Sequence, residues 1–294
     1  MKLNLPARQP FSFRSTVFSH GWVQLAPFRF DEAANVLTYI DRLDSGRVLA
    51  LRMREAPGGI TVGSSVRLER AERAEVKRRV GWMFSLGMNL SEFYALARGE
   101  PRLARAEARA QGRILRCPTL FEDVVKTILT TNTLWGATRR MTLNLVNLFG
   151  ERLPGDPGER AFPSPQRIAR TSEATLRADA RLGYRAPYVL ELAERVASGA
   201  LDLEALKFDE LPTAELRKRL LAIKGIGAYA AANLLVILGR YDYLPVDSWA
   251  LKMVSSEWHG GAPVRPSDVE AAFERWGMWK GLAYFTWDWK DSDA

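Results

Sequence analysis

Between Leu216 and Val254 the chain reads LRKRLLAIKGIGAYAAANLLVILGRYDYLPVDSWALKMV. Two apolar patterns of helical length flank Lys224-Gly225-Ile226-Gly227, and a third apolar run follows Pro245-Val246-Asp247-Ser248. Two glycines around one aliphatic residue can reverse the chain between helices, because glycine accepts positive φ and lets another backbone come close. The amides that open the second helix lack partners within it and carry partial positive charge, which suits a phosphate. Arg217, Lys218, Arg219 and Lys224 surround the turn and add side-chain support for an anion. Asp247 and Ser248 stand where the third helix needs its N-cap. A carboxylate that caps a helix is oriented by the amides it accepts from, so capping is compatible with an electrostatic or base role.

Gly225-Ile226-Gly227 with Pro245-Val246-Asp247 downstream, twenty positions from second glycine to carboxylate, resembles the helix-hairpin-helix (HhH-GPD) superfamily of DNA base-excision glycosylases. The resemblance implies that the hairpin, residues 216–240, grips a DNA backbone through Lys224, Gly225, Ile226 and Gly227, and that Asp247 lies in the pocket receiving an extruded nucleotide. It further implies a monovalent cation, Na+ or K+, held by the backbone carbonyls of Ala222, Ile223 and Ile226. Some members carry a four-cysteine iron–sulfur cluster. Cys117 is the only cysteine here, so that cluster is excluded, and no cofactor is expected to be required.

Taken in order, residues 1 to about 66 read as β structure. Val36–Ile40 and Val48–Met53 flank the hairpin signal Asp44-Ser45-Gly46, and Pro57-Gly58-Gly59 turns the chain into Ile60-Thr61-Val62. Residues 67–79 are charge-dense and helix-favouring, and their Glu/Arg alternation predicts a solvated helix face. Arg102, Arg105, Arg109, Arg113 and Arg116 recur at spacings of three or four. On a helix they form one basic stripe, more simply a solvated connector than a DNA contact, and Gly112 breaks it.

Residues 121–149 predict a helical stretch interrupted at Thr130-Thr131-Asn132-Thr133, with Val125, Ile128 and Leu129 on the buried face. The polar residues suit a capped junction. By the family resemblance, Thr131 and Asn132 are equally candidates to fill the gap left by a flipped base. The glycines and prolines of residues 149–165 predict a surface loop. Leu182-Gly183-Tyr184-Arg185-Ala186-Pro187-Tyr188-Val189 looks like a turn of the 8-oxoguanine branch, although Arg185 and Tyr188 equally suit packing or capping.

The expected fold is α+β: an N-terminal antiparallel sheet domain over 1–111, then a mostly helical HhH-GPD domain over 112–294 with the active cleft between two helical lobes. The sheet-before-helices order is similar to the 3-methyladenine DNA glycosylase II and 8-oxoguanine DNA glycosylase branches. Trp276, Trp279, Tyr284, Phe285, Trp287 and Trp289 crowd the C-terminal segment. Packing is their ordinary use. In the alkylbase branch such rings hold cationic methylated bases, which makes Trp279, Tyr284 and Trp287 pocket candidates.

A formal net charge of +8 favours a polyanionic partner. Two histidines and one cysteine make a metal centre improbable. With no secretory signal or long apolar span, the expectation is an intracellular protein (cytoplasm and nucleoid, or nucleus), monomeric, without a membrane partner.

An enzyme acting on a base within a duplex must first unstack it. Cleaving the N-glycosidic bond then builds positive charge on the sugar. A fixed carboxylate facing that charge stabilises the transition state more than the ground state, and can orient or deprotonate water. Asp247 is the candidate. Bifunctional relatives carry a lysine two residues after the second hairpin glycine. Tyr229 stands there instead and cannot form an imine; the alkylbase branch has an aromatic pocket residue at this point. The leading expectation is therefore a monofunctional 3-methyladenine-type DNA glycosylase in base excision repair, bound to double-stranded DNA containing a damaged base. The alternatives are a glycosylase for oxidised or deaminated bases such as 8-oxoguanine or hypoxanthine, a non-catalytic hairpin clamp on DNA, and a basic helical protein with no nucleic-acid role.

Overall fold

A computed structural model describes residues 2–287; Trp289 lies outside them. In chain order the elements are β1 (Lys2–Pro6), α1 (Phe13–Val17), β2 (Phe28–Asp31), β3 (Val36–Arg42), β4 (Val48–Ala56), β5 (Gly59–Ser64), α2 (Arg70–Met83), α3 (Ser91–Ala97), α4 (Leu120–Thr130), α5 (Trp135–Phe149), β6 (Arg152–Leu153) and β7 (Asp156–Arg160). Eight helices follow: α6 (Pro165–Ala169), α7 (Glu173–Ala178), α8 (Ala186–Ala197), α9 (Thr213–Leu221), α10 (Ala228–Ile237), α11 (Ser248–Trp258), α12 (Pro266–Phe273) and α13 (Lys280–Thr286). The α+β class expected from the sequence is the one observed. Among the described residues no helix is long and apolar enough to cross a membrane.

Packing divides the chain into two compact units, Met1–Met88 with Arg113–Asp209 and Asn89–Gly112 with Glu210–Ala294. The units interleave along the chain, whereas the sequence reading cuts it once, between 111 and 112. Side chains explain the exchange: α3 puts Phe93 against Trp276 and Trp279, ring centroids 5.8 and 6.0 Å apart.

The first unit is built on a five-stranded antiparallel sheet in the order β1-β5-β4-β3-β2. Gly46, at φ +85°, closes the β3–β4 turn, and its amide donates to the Leu43 carbonyl at 2.8 Å. Alternating residues of β4, namely Leu49, Leu51 and Met53, are fully buried, as period-two patterning requires. On the other side Ile40 and Val48 pack with Ala161, and Leu153 lies against that cluster. The segment expected to be a surface loop over 149–165 therefore includes the β6–β7 hairpin, whose glycines and prolines make turns in a covering element.

Charged residues overturn two further expectations, the solvated face of α2 and the helical arginine stripe. The supposedly solvated face of α2 buries Glu72, Glu75 and Arg79. The Arg79 guanidinium donates to Asp41 Oδ1 and Asp44 Oδ1, both at 2.7 Å, and lies 2.7 Å from Glu75 Oε1. Burial raises the Asp41 carboxyl to about 6 against the opposing pull of Arg79.

The arginine stripe is not a helix either: residues 101–110 form successive turns. Arg113 is buried and donates to the carbonyls of Arg8, Pro10, Ser85 and Met88. Arg116, also buried, lies 4.2 Å over the Trp82 ring. In α4 the expected Val125, Ile128 and Leu129 are buried, and so are Glu122, Asp123 and Lys126. Tyr39 donates to Glu122 at 2.5 Å, Lys126 pairs with Glu122 at 2.6 Å, and Trp22 donates to Asp123 at 2.7 Å. Buried charge is tolerated only with such partners.

Candidate active site

The hairpin in the second unit joins α9 to α10. Ile223 and Ile226 are buried and anchor the turn, while Lys224 between them is exposed. Gly225 sits at φ +87°, a conformation that any side chain would strain. The Ile226 amide donates to the Ile223 carbonyl at 3.0 Å. Gly227 is the N-cap of α10, and a Cβ there would meet nothing within 4 Å. The first bond of the helical ladder runs from Ala231 N to Gly227 O at 2.9 Å. The amides of Ala228, Tyr229 and Ala230 precede that ladder, and Gly227, Ala228 and Tyr229 are exposed, an arrangement suited to an anion. Beyond its first turn α10 is mostly buried from Ala230 to Ile237, which makes it a rigid support for the bend.

Asp247 caps α11 as its sequence position predicts: Oδ1 accepts from Ala250 N at 2.8 Å. The same oxygen accepts from the Tyr284 hydroxyl at 3.0 Å. Gly281 sets Tyr284 in place. Its amide donates to the Tyr241 carbonyl at 2.6 Å, and a Cβ would lie 2.3 Å from the Tyr243 carbonyl oxygen. Only glycine lets α13 approach this segment so closely. The Tyr284 ring then packs edge-on against Trp249 and Phe273, at 4.9 and 6.0 Å between centroids. Burial, followed by the Asp247 charge, their hydrogen bond and Tyr229, pushes the Tyr284 hydroxyl well above its ordinary range. It therefore stays protonated and remains a donor.

Tyr229, 57% exposed in the first turn of α10, is near enough to act electrostatically on Tyr284. The structure thus groups Asp247, Tyr284 and Tyr229, and adds Trp249, 40% exposed and two residues beyond the carboxylate. Sequence reading missed Trp249. Its available signal was position: the first turn of a helix capped by the candidate acid. A half-buried carboxylate among electron-rich rings can face a cationic or developing positive centre.

Other candidates lie elsewhere. Trp279 stacks on Tyr241 at 5.7 Å, and its indole donates to Glu92 at 3.3 Å. Trp287 is buried against Trp258 and Phe273. Among the described residues no contact joins either ring to Asp247.

Thr131 and Asn132 lie between α4 and α5 in the first unit. The Thr130 and Thr131 hydroxyls donate back to the Thr127 and Ile128 carbonyls, at 2.7 and 2.8 Å. They close α4; α5 is capped at Leu134 without a side-chain bond, so the expected capping of the new helix is not made. The buried Arg185 guanidinium supports this loop by donating to the carbonyls of Thr131 and Asn132. Leu134, 83% exposed, is an apolar side chain at the loop's end that the sequence reading passed over. Its exposure is the signal, and it exists only in the fold.

Among the described residues no group of three or more His, Cys, Asp or Glu side chains is placed to hold a metal ion. The sequence model described as HhH-GPD superfamily base excision DNA repair protein matches residues 125–278, just over half of the chain. The chain is 28% identical over 189 residues to the DNA-3-methyladenine glycosylase of Bacillus subtilis (strain 168), covering 63% of this chain and 61% of that protein. It is 27% identical over 194 residues to DNA-3-methyladenine glycosylase 2 of Escherichia coli (strain K12), covering 64% of each. The match thus spans somewhat under two thirds of the length of these relatives. The fold superposes on the 3-methyladenine DNA glycosylase structure from Archaeoglobus fulgidus with a TM-score of 0.75 at 22% identity, covering 98% of this chain and 97% of that one.

Proposed function

The chain belongs to the HhH-GPD superfamily of base-excision DNA repair proteins, and from that premise we propose that it is a monofunctional DNA glycosylase for alkylated purines of the 3-methyladenine type. The observation that carries the reading is Asp247: an N-cap carboxylate with one oxygen held by Ala250 and Tyr284, among the partly exposed rings of Tyr229, Tyr284 and Trp249.

In this reading double-stranded DNA is the partner, and a single copy of the chain acts on it. The amides after Gly227, with Lys224, hold a phosphate of the damaged strand. The damaged base leaves the stack, least expensively when its pair is already weakened. Thr131 and Asn132 fill the vacated space, and the exposed Leu134 supplies the apolar surface that stacks on the neighbouring bases. Arg185, bonded to the carbonyls of that loop, keeps it from collapsing. The extruded base lies against Tyr229, Tyr284 and Trp249, whose faces favour a positively charged alkylbase over its neutral parent. Asp247 then stabilises the sugar as the glycosidic bond lengthens.

Tyr229 in place of a lysine leaves no amine to form an imine, so no strand-cleaving lyase step follows. The carbonyls of Ala222, Ile223 and Ile226 are a neutral oxygen set that would hold Na+ or K+, whose charge would favour a phosphate nearby. Their role is to hold backbone, not to enter the bond-breaking step.

The test is release of free base from duplexes carrying methylated purine, 8-oxoguanine or hypoxanthine, with borohydride added to a parallel reaction. Release from the methylated duplex and no trapped protein–DNA adduct is the expected result. A strong adduct would overturn the monofunctional assignment. Release confined to 8-oxoguanine would move the substrate to the branch that Leu182–Val189 resembles.

A further inference from the structure

We infer that Asp247 works through a single oxygen, Oδ2, and that Tyr284 is the positioning residue that decides which oxygen that is. The inference rests on the glycosylase reading and goes one step further into the same site. Both donors to the carboxylate, Ala250 N at 2.8 Å and the Tyr284 hydroxyl at 3.0 Å, converge on Oδ1. Among the described residues Oδ2 has no hydrogen-bond partner.

Rotation of a carboxylate about Cβ–Cγ is soft and roughly two-fold. A capping amide alone would therefore let the two oxygens exchange. A second donor arriving from another helix fixes the plane of the group as well as its direction. Tyr284 can do this because its own ring is fixed, by the Gly281–Tyr241 backbone contact one turn earlier and by Trp249 and Phe273 on its edges. Oδ1 shares its charge with two donors. Oδ2 keeps its lone pairs free, and it is the oxygen that meets the sugar and the water.

The C1′–N bond breaks and its electron pair passes to the base, cancelling the positive charge of an alkylated purine. The C1′–O bond forms from water, and one water proton passes to Oδ2 and thence to solvent.

The experiment compares wild type, Asp247→Asn and Tyr284→Phe in single-turnover base release from a methylated duplex across pH. It adds binding to an abasic-site duplex and thermal unfolding of each protein. Tyr284→Phe removes one hydroxyl and keeps the ring. It is expected to slow release about 10- to 100-fold, as for loss of a hydrogen bond to a charged group, with abasic-duplex affinity unchanged within about twofold. The acid limb of its pH–rate profile should move to higher pH, because the carboxylate has lost a donor. A purely structural role for Tyr284 would not move that limb. If Tyr284→Phe unfolds, 3-fluorotyrosine placed at 284 alone decides: its more acidic hydroxyl is a stronger donor, and the limb should move the other way.

An unmoved limb in both proteins, or a Tyr284→Phe rate within about twofold of wild type, overturns the inference. If that happens while wild type is active and Asp247→Asn is dead, the inference falls alone. If wild type releases no base from the duplex, the glycosylase reading falls and takes the inference with it.

Discussion

Two aspartates, one in each unit, are held in nearly the same way. Asp123, in the first turn of α4, accepts on Oδ1 from the Cys117 amide at 3.1 Å and from the Trp22 indole at 2.7 Å. Asp247 accepts on Oδ1 from the Ala250 amide and the Tyr284 hydroxyl. Each has one backbone donor and one aromatic donor on a single oxygen, and among the described residues neither Oδ2 has a hydrogen-bond partner. What separates them is access. Asp123 is fully buried, its Oδ2 sealed from water, and burial raises its carboxyl to about 6 against the pull of both donors. Asp247 is half-buried, with Tyr229 and Trp249 exposed nearby. Hydrogen-bond donors hold a carboxylate in position. Whether it does chemistry depends on what can reach its remaining oxygen.

The largest effect should separate the pair outright. Asp247→Asn keeps the cap, because an amide oxygen can still accept from Ala250 and Tyr284, but it removes the charge. Base release should fall by about 10³-fold, the scale of losing a fixed transition-state contact. Duplex affinity should be unchanged or tighter in a filter or fluorescence assay. Equal base release by the asparagine variant would take the chemistry away from Asp247.

Asp123→Asn should do the opposite: the release rate per folded molecule unchanged, and the stability altered in a pH-dependent way. Because folding raises the Asp123 carboxyl from 3.8 to about 6, it favours the protonated form. The resulting stabilisation is full below about pH 4 and is lost as pH rises through 6, on the order of 3 kcal/mol in all. Asparagine does not titrate, so its deficit should be greatest at pH 4 and shrink toward pH 7 in urea unfolding. A deficit that grew with pH would mean that Asp123 is held ionised, and the comparison would lose its premise.

The same contrast governs what could be read from residues alone. The Asp44-Ser45-Gly46 hairpin and the Gly-Ile-Gly bend are local devices, and the chain forms them where its glycines require. Asp247 was legible because a cap is local too. The partners of buried charge are not. Arg79 reads as one of many charges on an α2 face until β3 delivers Asp41 from 38 positions away. Arg113 reads as part of a stripe, but its carbonyl acceptors at Arg8 and Pro10 lie 105 and 103 positions back. Tyr284 could be suspected only as one of several C-terminal rings. What distinguishes it is the close approach that Gly281 permits, a property of two backbones rather than of any spacing. Leu134 and Trp249 escaped because an apolar residue on a helix is ordinarily packed, and only the fold leaves these two exposed.

The smallest effect falls on the aromatic donor of the buried member, Trp22→Phe, the counterpart of the tyrosine variant above. Phenylalanine keeps a ring to lie against His20, whose centroid is 4.6 Å from that of Trp22, and deletes the indole donor. A buried ionised carboxylate that loses a donor ordinarily costs about 1.5–3 kcal/mol. Asp123 has an escape: with its carboxyl already near 6, it can take up a proton and shed the charge. The cost should therefore sit near 1 kcal/mol at pH 5 and rise toward the upper value at pH 8, where protonation itself must be paid for. Base release should not change at either pH. A rate loss without a stability loss would place Asp123 in the chemistry and dissolve the distinction between the two carboxylates. A stability loss of equal size at both pH values would show that the Trp22 bond acts on packing alone.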